Sequence, residues 1–438
     1  MAALICTAAL VTVTVNGCAP SGTPSANAGD SLAAINTNTP PGVRAKQVMD
    51  MLNSDWPIGP VGVGTLAVPA QVDEVGATME TMWLDRPYTV AAVDIGAGWA
   101  TLHLVTSYGA RQDIEIRTDD ASTLVDRFAV TNQTPPMTSW ADVDAALSKT
   151  GARYSYRLSR VNNGHCEQVA GTNTAASLPL ASIFKLYVLY AVAEAVTAGT
   201  LHWDDPLTIT AGAKAVGSSG FDQLPPGAQV PVRLAAEKMI ATSDNMATDL
   251  LMARLGPGAV ERALADAGHH DPASMTPFPT MHEIFSVGWG EPDLREQWEQ
   301  ASPRQRVELL HETNSRPYEP DPLRTRSPAS SIGAEWYGSA EDICRVHAAL
   351  QTAAVGAAAP VRDIMSAIPG IDLDPAEWPY IGAKAGNLPG DLTFSWYAVD
   401  RGGQPWVLSL QMNWPRFYGP RTAGWLMTVI KQMFALAR

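Results

Sequence analysis

Positive charge is scarce in this 438-residue chain: 30 Lys and Arg stand against 44 Asp and Glu, a formal net charge of −14. A surface so short of cations has no broad electrostatic grip on phosphate backbones, which excludes nucleic acid as a partner. Metal-binding patterns are missing too. The four cysteines are unpaired in sequence, His269-His270 are adjacent rather than a helical turn apart, and His282-Glu283 is not followed by a histidine at metalloprotease spacing, so no metal and no cofactor are expected. Nor is there a Gly-x-Ser-x-Gly elbow, a phosphate-binding loop or a dinucleotide glycine pattern at 59–64 or 96–98, and nucleotide chemistry drops out. The body holds no apolar run of membrane-spanning length. With hydrophobic residues at 46%, it has ample material for the cores of two or three domains.

What is present begins with an apolar leader. Residues 1–15, MAALICTAALVTVTV, run into Asn16-Gly17-Cys18-Ala19-Pro20 and read as a signal peptide over 1–17. About 15 apolar residues fall short of the roughly 20 that a spanning helix needs. The segment Val15-Asn16-Gly17-Cys18 resembles a bacterial lipobox, which implies cleavage before Cys18, lipidation of its sulfur and a lipid anchor at the outer face of the cytoplasmic membrane. Asn16 and the lack of Lys or Arg before Cys18 depart from the usual pattern. The rest of 18–42 is Ser, Thr, Pro, Asn, Gly and Ala, a flexible spacer. Once the leader and the lipidated Cys18 are set aside, Cys166 and Cys344 are left as candidates for a disulfide outside the cytoplasm. Cys344 sits in a helical pattern, where a buried free thiol is the commoner outcome.

Two domains follow. Residues 43–136 read as helices over 43–52 and 70–83, then strands over 88–93, 100–105 and 113–117, a small α+β domain with a curved antiparallel sheet. His103 lies in an alternating strand and is expected to face solvent. After Thr134-Pro135-Pro136, residues 138–438 open with a helix at 138–149 and a hairpin around Asn162-Asn163-Gly164. A long helix over 181–198 comes next, and strands over 380–384, 392–400 and 406–412 with a closing helix at 422–436 end the chain. The expected layout is one sheet built from both ends of the domain, with the helical middle packed beside it.

The chemistry concentrates in three places. Ser182 opens a helix that is apolar nearly all round, and Lys185 follows one turn along the same face. In a dry pocket the ammonium is disfavoured, so the neutral amine can take the serine's proton, while a helix N-terminus places the Ser182 N–H where an oxyanion would form. Ser243-Asp244-Asn245 stands between two helical runs, and its plain reading is a helix cap. Lys384-Ala385-Gly386, followed by Asn387, ends a late strand, where a glycine lets a ligand lie against the backbone.

In that order the motifs resemble those of the penicillin-recognising serine hydrolases, especially class A β-lactamases, whose signature is Ser-x-x-Lys, Ser-Asp-Asn and Lys-Thr-Gly. The first two lie about sixty residues apart, as in that family. The resemblance implies a β-lactamase/transpeptidase-like domain over 138–438, with Ser182 as nucleophile, Lys185 as its base and Ser243 passing a proton to the leaving nitrogen. Asn245, Lys384, Gly386 and Asn387 would bind substrate, a small β-lactam or related amide or ester, with the Ser182 and Asn387 N–H groups forming the oxyanion hole. The 43–136 domain is similar to steroid-isomerase and nuclear-transport-factor folds that precede such domains in some actinobacterial proteins. Two departures matter. Ala385 replaces the family's threonine, a loss of about 1 to 3 kcal/mol where a buried donor is missing. The stretch from Ser243 to Lys384 is longer than in class A enzymes and lacks their Glu-x-x-Leu-Asn loop. Glu283 is the nearest acidic candidate there, expected to be solvated or salt-bridged on an amphipathic helix. Three functions fit: a β-lactamase-like hydrolase with slow deacylation, a D-alanyl carboxypeptidase or esterase on the same scaffold, and a non-catalytic envelope-binding lipoprotein.

Overall fold

The computed structural model describes residues 34–134, 136–210, 217–218, 220–275 and 277–437. The leader, Cys18 and the spacer as far as residue 33 lie outside them. The described chain packs as two units, one made of 34–151 with Tyr418–Leu436, the other of Ala152–Phe417. This differs from a division at 136–138, because the closing helix Pro420–Leu436 finds its partners in the first unit: Trp425 lies 5.6 Å from the Tyr108 ring, and the Gly419 N–H donates to the buried Asp85 carboxylate at 2.7 Å.

In the first unit, α1 (Pro40–Leu52) starts inside the stretch read as spacer, since Thr39 caps it and Pro40-Pro41 occupy positions whose N–H groups need no partner. Helix α2 (Pro60–Leu66), with two glycines in PVGVGTL, carries little helix propensity and was not expected; α3 (Val72–Trp83) was. Strands β1 (Thr89–Gly96), β2 (Trp99–Val105), β3 (Arg111–Thr118) and β4 (Val125–Gln133) form an antiparallel sheet in that order. Leu52, Leu66, Met79, Leu102 and Ile114 fill its core. His103 does more than face solvent: its ring bridges Asp113 at 2.7 Å and Asp94 at 3.1 Å. Burial works against its charge, but those two hydrogen bonds outweigh it and raise the imidazole pKa. Helix α4 (Trp140–Ser148) is held by a Ser139/Asp142 capping box.

The second unit opens with β5 (Arg153–Asn162) and β6 (His165–Thr172), joined by Asn163-Gly164. Both turn residues have positive φ, 50° and 79°, as a two-residue hairpin turn requires. Short β7 (Leu178–Pro179) leads into a tight 3₁₀ turn, Ala181–Phe184, and then α5 (Lys185–Thr197), so the expected single helix is two pieces. Strands β8 (Pro206–Thr208) and β9 (Gln229–Pro231) pair beside the helical middle: α6 (Val232–Ala241), α7 (Asn245–Leu255), α8 (Ala259–Asp266), α9 (Met281–Trp289), α10 (Arg295–Gln300) and α11 (Pro303–Thr313). Strand β10 (Tyr337–Gly338) pairs with β7, and α12 (Ala340–Ala353) and α13 (Val361–Ser366) follow. Strands β11 (Tyr380–Leu388), β12 (Asp391–Val399) and β13 (Pro405–Asn413) complete a five-stranded antiparallel sheet in the order β11-β12-β13-β5-β6. The sheet is thus assembled from both ends of the unit, as the sequence pattern predicts. Cys166 of β6 and Cys344 of α12 are disulfide-bonded, with Cα atoms 6.3 Å apart, which overturns the preference for a free thiol: α12 packs on the sheet with its Cys344 face toward the edge strand.

Candidate active site

Helix α5 is the centre of its unit. Leu186, Val188, Leu189, Val192 and Ala193 are wholly buried, and a helix buried over most of its surface is a rigid mount. The turn before it is pinned from two directions. Leu180 donates its N–H to Trp336 O at 2.8 Å, and the Phe184 ring stacks on Trp336 with centroids 3.9 Å apart. Ala181, next to Ser182, has a left-handed backbone with φ of +43°, a conformation costly for a residue with a Cβ and held only because its surroundings over-determine it.

Lys185 has no solvent exposure. Its Nζ donates to Ser243 O at 2.7 Å, Ser243 Oγ at 3.1 Å and Asn245 Oδ1 at 2.6 Å. Burial, and then the positive charge of Lys384, hold its pKa well below the ordinary lysine value. Among the described residues no hydrogen bond joins Lys185 to Ser182. The Ser-Asp-Asn corner serves as both cap and site. Asp244 is the α7 cap, accepting from Ala247 N at 2.8 Å, and that turn, with Ser243 at φ +58°, presents Ser243 and Asn245 to Lys185. From the opposite side Lys384 Nζ donates to Ser243 Oγ at 3.0 Å and to Ala385 O at 2.6 Å. Burial brings the Lys384 pKa down to about 7. Ser243 Oγ therefore accepts from two buried amines, both with lowered pKa values.

Gly386 explains itself. A Cβ there would lie 2.6 Å from Ser182 N and 2.9 Å from Leu180 O, so only glycine lets edge strand β11 approach the Ser182 backbone. Asn387, the next residue on that strand, is exposed. The structure thus brings Ser182, Lys185, Ser243, Asn245, Lys384 and Gly386 together.

Glu283 is neither solvated nor salt-bridged. It is buried and closes a capping box with Thr280 at the start of α9, and its other oxygen accepts from Asn314 at 2.6 Å. The sequence did hold a readable signal for this, Thr280 three residues before Glu283. Asp249 went unnoticed. It lies one turn after Asn245 on α7, takes the N–H groups of Met281 and His282 at 2.8 and 3.0 Å, and burial raises its pKa to about 7. His269, His270 and Asp342 cluster within 4.8 Å, yet both nitrogens of His269 are committed. His269 donates through Nε2 to Tyr337 O and accepts at Nδ1 from the Asp271 N–H, a tautomer that leaves no nitrogen for a metal. Asp342 caps α12 and holds the His270 ring.

Glu335 and Asp391 form a buried acidic pair, and burial raises both, Asp391 to about 7. Glu335 Oε2 and Asp391 Oδ2 each lack a hydrogen-bond partner among the described residues. A carboxyl whose folded pKa is raised contributes most below its unfolded value, and that contribution is lost as pH rises toward 7. Asp391→Asn should therefore stabilise the protein by about 1 to 3 kcal/mol at pH 7.5 and leave it unchanged near pH 4. Urea denaturation at the two pH values measures this, and equal effects at both would refute it.

Residues 139–315 match the model of the family described as Beta-lactamase enzyme family, a stretch that includes Ser182, Lys185, Ser243 and Asn245 and ends before Lys384. Residues 35–124 match a different family from those named above, described as ORF 12 gene product N-terminal. No curated protein matches the chain. Among solved structures it is similar to a β-lactamase from Sphaerobacter thermophilus, at 20% identity over 68% of this chain and 98% of that one, with a TM-score of 0.47. It is also similar to PBP-A, at 16% identity over 69% and 98% with a TM-score of 0.41. A third is the class A β-lactamase of the last common ancestor of Gram-negative bacteria, at 16% identity over 68% and 97% with a TM-score of 0.46. The stretch of the second unit that holds Ser182, Lys185, Ser243 and Asn245 is thus similar to the Beta-lactamase enzyme family.

Proposed function

We propose that the protein is a serine hydrolase that forms an acyl-enzyme on Ser182 with a β-lactam or a related amide or ester, and releases it slowly. The observation that carries this reading is the fully buried Lys185 amine on Ser243, with the Lys384 amine on the same hydroxyl from the other side. Neutral Lys185 takes the Ser182 hydroxyl proton as Oγ adds to the substrate carbonyl. The oxyanion is met by the Ser182 and Asn387 N–H groups, and the proton passes through Ser243 to the leaving nitrogen or oxygen as its bond to the carbonyl carbon breaks. Water must then cleave the ester. With Glu283 tied into a capping box, that water lacks the glutamate base of class A enzymes, a deficit of about 10² to 10⁴ in rate.

Incubation with penicillin G, followed by mass spectrometry, is expected to show an adduct on the Ser182 peptide, and stopped-flow with nitrocefin a burst followed by a low plateau rate. Linear progress at high turnover would overturn slow deacylation. The absence of any adduct from penicillin, cephalosporin or an activated ester would overturn the hydrolase reading in favour of a non-catalytic envelope-binding protein. A second reading, D-alanyl carboxypeptidase or esterase, is favoured by Ala385, which withholds a hydroxyl from a substrate carboxylate. Faster turnover of a D-Ala-D-Ala peptide or an acetyl ester than of nitrocefin would select it.

The same proposal places the protein at the outer face of the cytoplasmic membrane, held by a lipid on Cys18. No helix among the described residues is long and apolar enough to cross a membrane. Cys18→Ala should shift the protein from the membrane pellet to the soluble or unprocessed fraction, and unchanged fractionation would remove the anchor from the proposal.

A further inference from the structure

Beside the Lys384 strand lies a histidine that the chemistry above does not use. His347, on α12, has no solvent exposure, and its Nε2 lies 2.9 Å from Ser395 Oγ. Ser395 is the cross-strand partner of Lys384, and its hydroxyl donates to Lys384 O at 3.0 Å. Because that hydroxyl spends its proton on the carbonyl, it accepts from His347, which fixes the imidazole as the Nε2–H tautomer and leaves Nδ1 bare. Nδ1 indeed has no partner among the described residues. A buried polar atom without a partner is unfavourable, and an apolar side chain would fill the same space without it. The imidazole is kept neutral by burial, with a pKa down to about 3, so it does not titrate in the working range. What remains for it to supply is the Nε2–H.

We infer that His347 is a positioning residue for Lys384: the chain His347 to Ser395 to the Lys384 carbonyl sets the rotation of the strand segment that carries the amine to Ser243. The helix that presents the ring is itself fixed, by the Ser339/Asp342 capping box at its start and by the disulfide at Cys344, one turn before His347 on the same face. A rigid helix thereby holds, through Ser395, the same face of the sheet on which Lys384 and Gly386 stand. The inference rests on the acyl-transfer reading given above.

The test is a double-mutant cycle on nitrocefin acylation, read by stopped-flow across pH 5 to 9, with Tm measured in parallel. His347→Leu and Ser395→Ala are each expected to slow acylation about tenfold, and the double variant by no more than either alone, because both break one chain. His347→Gln, whose amide can donate to Ser395, is expected to recover to within about threefold of the parent. Tm of His347→Leu should be no lower than the parent's, since the bare nitrogen is gone. The decline of acylation above pH 7 should move in both single variants as Lys384 shifts. Parent-like acylation and pH profile in His347→Leu, or a double variant about a hundredfold slow, would overturn the inference. A loss of Tm in Ser395→Ala and His347→Leu that accounts for the slower acylation would do the same. If the parent itself forms no adduct, the hydrolase reading has failed and the positioning role with it; if the parent acylates and the variants do too, only the positioning role is lost.

Discussion

Lys185→Met is expected to acylate 10² to 10⁴ times more slowly than the parent, since it keeps the length and apolar stem of the side chain and removes only the base. The parent's own profile carries the sign. Burial and Lys384 depress the Lys185 pKa, so acylation should rise with pH at values below the ordinary lysine range. Lys384, with a pKa of about 7, runs the other way: its positive charge, which attracts a substrate carboxylate, fades above that pH. A carboxylate-bearing penicillin should therefore show a falling alkaline limb that a neutral activated ester lacks. Stopped-flow acylation of both substrates from pH 5 to 9 decides it. Identical alkaline limbs would remove Lys384 from carboxylate recognition, and an unchanged rate in Lys185→Met would remove Lys185 as base.

Gly386→Ala should be nearly as damaging, by about 10² to 10³ in acylation, although the change adds one methyl group and no charge. The new carbon would fall 2.6 Å from Ser182 N and 2.9 Å from Leu180 O, both backbone atoms that cannot swing aside as a side chain would. Strand β11 must retreat, taking Asn387 with it and opening the oxyanion hole. Binding of substrate should change far less than the rate of acylation, so the measurement separates the two by concentration dependence. A variant that acylates within threefold of the parent would mean that β11 does not form that wall.

Which parts of this could be read in advance follows from how local each cause is. Asn163-Gly164 announces its hairpin because positive φ is a property of two adjacent residues. Helix α5 announces its burial through unbroken apolarity. Ser182-x-x-Lys185 and Ser243-Asp244-Asn245 are legible as short local motifs, whereas their contact with Lys384 exists only through a sheet edge that folding creates. Strand β4 hides because Asp126-Arg127 and Phe128-Ala129-Val130 break the alternation of inward and outward residues. The pairing of Cys166 with Cys344, the Glu335 and Asp391 carboxyls and the Asp249 contacts with α9 all join residues distant in sequence, where no spacing rule applies. Cys344 was misjudged for that reason: its helical pattern is real, but the pattern says nothing about which strand the helix will cover.

The strand order of the second unit also dictates when it can fold during synthesis. The central partner of β5, among the first residues of the unit to leave the ribosome, is β13: Arg160 waits for Trp406, and Arg153 for Asn413. Until residue 413 has emerged, hairpin β5–β6 has both edges exposed and an uncovered apolar face. The intervening helices have no sheet to cover, and a nascent chain in that condition invites aggregation or chaperone capture. Folding of this unit is therefore post-translational in character, slow relative to a helical bundle, and sensitive to truncation at its far end: a chain stopped before β13 would contain Ser182, Lys185, Ser243 and Lys384 and still lack the strand that joins the two halves of the sheet.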